Sequence, residues 1–268
     1  MAMDTDPAPR PPDRPALDPG RLPDHQVEVV EAAASTNALV TDQARQGGPE
    51  GLVILAEHQT AGRGRLDRSW ETPPRSGLTF SVLLRPTMAP AAWPWLPLLA
   101  GYSVCSVLRE AGFDATVKWP NDVLIEDRKV AGILVERVET PDGPAAIVGI
   151  GINVGMTAEE LPVPEATSLA VVGEAPDRTE LLGLVLDRLW GEYVAWRAGG
   201  QVAADRLATA YAEACSTIGS QVRVQLPAAE ELTGTATGVD VSGRLLVRHA
   251  DGTTAVSAGD VVHVRAAE

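Results

Sequence analysis

Two aliphatic runs, residues 51–57 (GLVILAE) and 78–85 (LTFSVLLR), flank a loop at 58–77 that is rich in Gly, Pro and Arg. Short continuous runs of this kind are buried strands. The loop between them therefore leaves the core of a sheet and returns to it. In the second run Thr79, Ser81 and Leu83 fall on one face and Phe80, Val82 and Leu84 on the other, as strand geometry requires.

The rest of the chain supplies helices and more strands around that pair. Residues 27–30 read as a strand, and Ser35 and Thr36 offer an N-cap to a helix that ends at Gly47-Gly48. Residues 93–109 read as a core helix with a Pro-rich first turn. A strand at 116–119 meets a turn at Pro120-Asn121, and two strands at 122–125 and 129–139 follow, with another at 145–154. Asp177 caps a long helix whose apolar face carries Leu181, Leu182, Val185, Leu189 and Val194, and a second helix spans 202–214. Beyond Thr217 the pattern changes to short alternating strands near 222–226, 233–239, 244–248, 253–257 and 261–265, parted by turns at Ser242-Gly243, Asp251-Gly252 and Gly259-Asp260. That spacing predicts a small closed barrel of the SH3-like type.

Seven of the 21 prolines precede Asp24, mixed with Asp and Arg. Such a segment buries little apolar surface, so residues 1–24 are expected to form a flexible tail. The formal net charge of -14 argues against a general nucleic-acid binder, although Arg63, Arg65, Arg68 and Arg75 crowd into one stretch. Cys105 and Cys215 have neither disulfide-scaffold nor metal-ligand spacing and read as reduced thiols. The N-terminus lacks the apolar segment of a signal peptide. The most apolar stretch, 91–108, contains Pro94 and Pro97 and reads as too short for a membrane span. A cytoplasmic protein is expected.

Three clusters carry chemistry. In Gln59-Thr-Ala-Gly62-Arg63-Gly64-Arg65-Leu-Asp-Arg68-Ser-Trp70, glycines let backbone N–H groups approach an anion and the guanidiniums can fork onto phosphate oxygens. Trp70 adds a flat stacking surface. A solvated Arg-rich loop would show the same dipeptides, and spacing alone does not separate the two. No Gly-Lys-Ser/Thr follows, so this is not a Walker cradle. In Lys118-Trp119-Pro120-Asn121-Asp122, a lysine held by a Trp-Pro turn can bridge a carboxylate and a phosphate; Asp122 is equally a turn former or a metal ligand. In the third, Arg128-Lys129-Val-Ala-Gly132 and Gly149-Ile-Gly151-Ile-Asn153, glycines within strands mark a ligand or a close crossing of the chain.

Taken together, Ser35-Thr36-Asn37, GRGRLDRSW, KWPND, RKVAGILVE and GIGINV resemble the biotin protein ligases over about residues 27–265. The resemblance implies an α+β fold: a mixed, mostly antiparallel sheet backed by helices (residues 25–215), then the C-terminal SH3-like barrel (216–268). It implies ATP and biotin as substrates with Mg²⁺. By the same resemblance biotinyl-5′-AMP would form first, and biotin would then be transferred to a lysine of a biotin carboxyl-carrier domain of an acetyl-CoA, other acyl-CoA or pyruvate carboxylase. It places Ser35, Thr36, Asn37, Gln59, Gly62, Arg63, Gly64, Arg65, Lys118 and Gly132 around biotin. Around the nucleotide it places Arg63, Arg65, Arg68, Trp70, Lys118, Asn121, Lys129 and Asn153. Lys118 is the expected central catalytic residue, assisted by Arg63 and Arg65. The loop is expected to be mobile until biotin binds. Asp67 departs from the family's glycine before the last arginine of the loop and is expected to weaken the local positive field slightly. Larger relatives carry a DNA-binding module ahead of the catalytic domain. Here only the Pro-rich stretch precedes it, so DNA binding is not expected; nor is membrane association, and the chain is expected to be a monomer or weak homodimer. A lipoate or octanoyl ligase is the nearest alternative enzyme, and an RNA-binding loop or SH3-like adaptor the nearest non-enzyme.

Overall fold

The aliphatic run at 51–57 forms β2 (Val53–Ala56) and the one at 78–85 forms β5 (Gly77–Leu84), every residue of both being buried. In the computed structural model, which describes residues 14–65, 68–225, 231–257 and 260–263, they lie side by side in a seven-stranded sheet. Its order is β1-β2-β5-β9-β8-β7-β6, with β1 (Val27–Val30), β6 (Ala115–Lys118), β7 (Asp122–Ile125), β8 (Arg128–Thr140) and β9 (Gly143–Asn153). Only β1 and β2 run parallel; every other neighbouring pair is antiparallel.

Period-two alternation sends the two faces of this sheet to different partners. Phe80, Val82, Ile150, Ile152, Ile133, Val117 and Val123 enter the main core, built with α2 (Trp95–Glu110), α4 (Arg178–Ala198) and α5 (Gly200–Ala214). On the opposite face Ile54, Leu83, Ala145 and Ile147 pack beneath Val40 and Ala44 of α1 (Thr36–Arg45). Because α1 covers only part of that face, the remainder is open. A short helix, α3 (Leu169–Val172), follows β9.

Two expectations change. The helical stretch Pro90–Glu110 is long and apolar enough to cross a membrane by length and composition, against the reading that it is too short. Twelve of the sixteen residues of α2 are nonetheless buried, against α4, α5 and the sheet, as suits a core helix. Of the expected flexible tail, residues 1–13 lie outside the described residues, and residues 14–24 are ordered. Leu17 and Leu22 are buried, and Asp18 caps a single 3₁₀ turn, Pro19–Arg21. The segment is clamped by a buried ion pair, Glu57 Oε2 to Arg178 Nη1 at 2.6 Å. Glu57 Oε1 accepts from the Leu17 amide (2.7 Å), and Arg178 donates to the Pro15 carbonyl (2.6 Å) and the Gly77 carbonyl (3.0 Å). Proline removes backbone donors, but this stretch satisfies its remaining groups on charged partners that come from far along the chain.

The C-terminal strands are β10 (Gln221–Gln225), β11 (Glu231–Val239), β12 (Leu245–His249), β13 (Gly252–Val256) and β14 (Asp260–His263). They form an antiparallel sheet of order β13-β12-β11-β10-β14 with Val222, Val224, Ala236, Leu245, Val247 and Val256 buried. Its ladder is open among the described residues. Two indoles dock it to the rest of the molecule: Trp119, just after β6, donates through Nε1 to the Gly243 carbonyl (3.1 Å) and Trp95, at the start of α2, to the Val241 carbonyl (3.0 Å).

Candidate active site

The open part of the sheet is a single row of paired residues. Lys118 pairs with Asp122, Asp122 with Gly132, Gly132 with Gly151 and Gly151 with Thr79. Strand register thus sets a cation, a carboxylate and two bare backbone positions along one face. The loop that follows β2 folds over this row as a small hairpin of β3 (Gly62–Arg63) and β4 (Ser69–Trp70), tied by Gly62–Trp70 and Arg63–Ser69 pairing and by Gly64 N–H to the Arg68 carbonyl (2.6 Å). Sheet, hairpin and the start of α1 enclose a cavity of about 170 Å³.

At the α1 end its wall is a chain of hydrogen bonds. Gln59 Oε1 accepts from the Thr36 amide (2.8 Å) and the Thr36 hydroxyl (3.2 Å). Ser81 Oγ lies 2.8 Å from Thr36 Oγ1 and donates to Asn37 Oδ1 at 2.6 Å. Asn37 Nδ2 donates to Glu136 Oε2 at 2.6 Å, and Arg63 Nη2 reaches the same carboxylate at 3.1 Å. Ser35, Thr36, Asn37 and Gln59 are all buried, so this is a desolvated polar surface suited to a compact polar head group.

At the other end Lys118, on the last position of β6, is half-buried, and its ammonium makes no hydrogen bond or ion pair among the described residues. The Trp119-Pro120 peptide is cis. Trp119 N–H donates to Thr217 Oγ1 (3.1 Å), so the turn after the lysine is held by the C-terminal region. Asn121 latches two elements: its Nδ2 donates to the Ile133 carbonyl (3.0 Å), and its Oδ1 accepts from Arg65 (3.0 Å). Lys129 Nζ lies 2.7 Å from Asp122 Oδ1 and 5.5 Å from the centre of the Trp70 ring. Lys129 is therefore already neutralised, and Lys118 is not.

The strand glycines make room for side chains of the protein itself. A Cβ on Gly151 would stand 2.3 Å from Trp70 Cε2, one on Gly149 2.3 Å from Asn37 Oδ1, and one on Gly132 3.1 Å from Trp70 Cζ3. All are closer than carbon can approach without displacement, so Trp70 lies flat on Gly132 and Gly151. Its indole Nε1 is buried without a partner.

Most residues singled out from the sequence meet here: Ser35, Thr36, Asn37, Gln59, Arg63, Gly64, Arg65, Arg68, Trp70, Lys118, Asn121, Lys129 and Gly132 line the cavity. Gly62 opens the hairpin but is not on the cavity wall; a Cβ there would meet the Trp70 carbonyl at 2.2 Å. Asn153 ends β9 off the cavity wall and donates through Nδ2 to the Thr167 carbonyl (2.9 Å). Asp67 lies outside the described residues. Sequence reasoning did not single out Ser81 or Glu136 as site residues. Ser81 was legible through the alternation in β5, which puts it on the open face beside Thr79. Glu136 had no local signal, because only sheet register brings it to Asn37.

The architecture and the site define a carboxylic-acid ligase. Residues 29–153 match the biotin/lipoate A/B protein ligase family and residues 217–264 the biotin protein ligase C-terminal domain. The biotin–[acetyl-CoA-carboxylase] ligase of Mycobacterium tuberculosis is 40% identical, over 94% of this chain and 97% of that protein. The bifunctional ligase/repressor BirA of Bacillus subtilis is 33% identical, over 86% and 72%. Among solved structures, the Aquifex aeolicus biotin protein ligase in complex with biotin and ATP superposes with a TM-score of 0.76 at 28% identity, covering 90% of this chain and 99% of that one. The chain belongs to the biotin protein ligase family.

Proposed function

We propose that this enzyme activates biotin with Mg·ATP and transfers it to one lysine of a carboxyl-carrier domain, that of acetyl-CoA carboxylase first among candidates. The observation that carries the reading is Lys118: an unpartnered cation at one end of a row whose other end is a buried polar pocket. In the first step a biotin carboxylate oxygen bonds to the α-phosphorus as the bond to pyrophosphate breaks. Two anions must meet, so positive charge and placement matter more than proton transfer. Lys118 would neutralise both. In the second step the acceptor amine attacks the carbonyl of the mixed anhydride and AMP leaves.

Ser35, Thr36, Asn37 and Gln59 would hold the ring end of biotin, with the backbone of Gly62–Arg65 and Gly132 along its length. Arg63, Arg65, Arg68 and Lys129 would face the phosphates. Trp70 would lie beside the adenine, while Asn121 steadies Arg65 and the free Oδ1 of Asn153 turns to the nucleotide. Mg²⁺ arrives with ATP as part of the substrate. Asp122, the carboxylate nearest Lys118 along the row, is engaged by Lys129, and no cluster of three metal-binding side chains occurs among the described residues. An anhydride is destroyed by water, which gives the hairpin its purpose as a lid that orders when biotin binds. The C-terminal strands complete an SH3-like barrel that supports the Lys118 turn and faces the carrier protein. The enzyme works in the cytoplasm as a monomer or weak dimer.

The test is adenylate formation with Mg·ATP and either biotin or lipoate, followed by transfer to a carrier domain. Biotin should be consumed and lipoate spared. Lys118→Ala should lower adenylation by roughly 10²–10³-fold, and a wild-type rate in that variant would sink the mechanism.

A further inference from the structure

Glu136 lies on β8 two residues beyond Leu134, which pairs with Gly149, and its carboxylate takes hydrogen bonds from two residues of different elements. Asn37 on α1 donates through Nδ2 at 2.6 Å, and Arg63 on the hairpin reaches it through Nη2 at 3.1 and 3.3 Å. A carboxylate only accepts hydrogen bonds when ionised, whereas an amide has one accepting end and one donating end. Glu136, the shorter of two acceptors for Nδ2 beside the Leu134 carbonyl at 3.4 Å, therefore sets which way the Asn37 amide faces. With Nδ2 committed to Glu136, Oδ1 is left to take the Ser81 hydroxyl at 2.6 Å and one donor from the cavity. Gly149, on which a Cβ would stand 2.3 Å from Oδ1, lets that amide lie flat on the sheet.

We propose that Glu136 is a positioning residue of this site. It fixes Asn37 as an acceptor toward an N–H of the bound acid's ring system and docks Arg63 on the same carboxylate, so closing the hairpin and setting the polar pocket are one event. The inference rests on the reading that the α1 end holds the ring of biotin. Arg63 is half-exposed and Glu136 is 30% exposed, so the ion pair itself contributes little to stability. Its value is geometric.

The experiment compares wild type with Glu136→Ala and Glu136→Gln in two assays. In adenylation, Glu136→Ala should raise the KM for biotin about tenfold, the size expected for losing a hydrogen bond to a charged acceptor, with kcat changed less than about threefold. Glu136→Gln should recover most of the biotin KM, since its amide oxygen still accepts from Asn37. In limited trypsin digestion without ligand, both variants should be cut faster than wild type after Arg63 and Arg65. A wild-type KM for biotin in Glu136→Ala, or cleavage at the wild-type rate, overturns the proposal. So does a fall in kcat and melting temperature with no KM split, which marks a merely structural role. If wild type fails with biotin but turns over another acid, the functional reading falls; the digestion, which needs no substrate, still judges Glu136.

Discussion

Gly149 and Gly151 sit two residues apart on one strand, yet each serves a different side chain. Neither has a positive φ, so what they supply is space: Gly149 for the Asn37 amide and Gly151 for the Trp70 indole. Adding a methyl group at either position should displace its partner at a cost of about 1–3 kcal/mol. Gly149→Ala is accordingly expected to raise the KM for biotin about tenfold and to spare that for ATP. Gly151→Ala should show the reverse, and steady-state kinetics with each substrate varied in turn checks both. Single-residue chemistry can also be silent. Burial pushes the Cys105 thiol up to about 11, against the pull of nearby Arg109, and Sγ donates to the Ala115 carbonyl. The nucleophilic thiolate is thus scarce in the folded protein. At pH 8 iodoacetamide should leave Cys105 unmodified in native enzyme and label it once urea unfolds the chain, as read by mass spectrometry.

Elements with a strong local pattern were legible in the sequence. β2 and β5 announced themselves by unbroken aliphatic runs, α1 by its Gly-Gly stop and α4 by Asp177, whose side chain does accept from the Glu180 amide at 2.9 Å. That hydrogen bond, against slight burial and with help from Arg21, holds the Asp177 carboxyl below its usual range. The sign follows: the cap stabilises the fold above the ordinary aspartate pKa and is lost as pH falls through the lowered value. Asp177→Ala should cost roughly 1 kcal/mol near pH 7 and nearly nothing well below the carboxylate range, measured by urea titration at both. Elements without periodicity stayed hidden. β3 and β4 have two residues each and α3 has four, too short for any pattern. The segment at 14–22 read as tail because its order comes from Glu57 and Arg178, partners that composition cannot reveal. Most of the site was visible as motifs. Their assembly was not, since pairing Lys118 with Asp122 and Gly132 with Gly151 depends on register.

The whole molecule joins its two sheets at the place where the chemistry is expected. Trp119 follows Lys118 directly, and its ring and backbone N–H bind Gly243 and Thr217. The C-terminal region therefore braces the turn after Lys118. Trp119→Phe keeps a ring in the core and removes the bond to Gly243. It should lower the rate of adenylation several-fold while far-ultraviolet circular dichroism stays unchanged; an unaltered rate would show that the brace is dispensable. The Glu57–Arg178 clamp works over a longer span. It joins the start of the hairpin loop at Glu57 to its end at Gly77, and both to Pro15. Arg178→Met, which leaves a buried carboxylate unpaired, should destabilise the fold by about 3–5 kcal/mol in urea titration. The same clamp sets a timetable for synthesis. Pro15 leaves the ribosome early but waits for a guanidinium made 163 residues later, and domains fold as their parts emerge. Until α4 has been made, the two ends of the hairpin loop lack the guanidinium that joins them, so a nascent chain stalled before it holds Arg63 and Arg65 on Glu136 and Asn121 but leaves Glu57, Gly77 and Pro15 without their common partner.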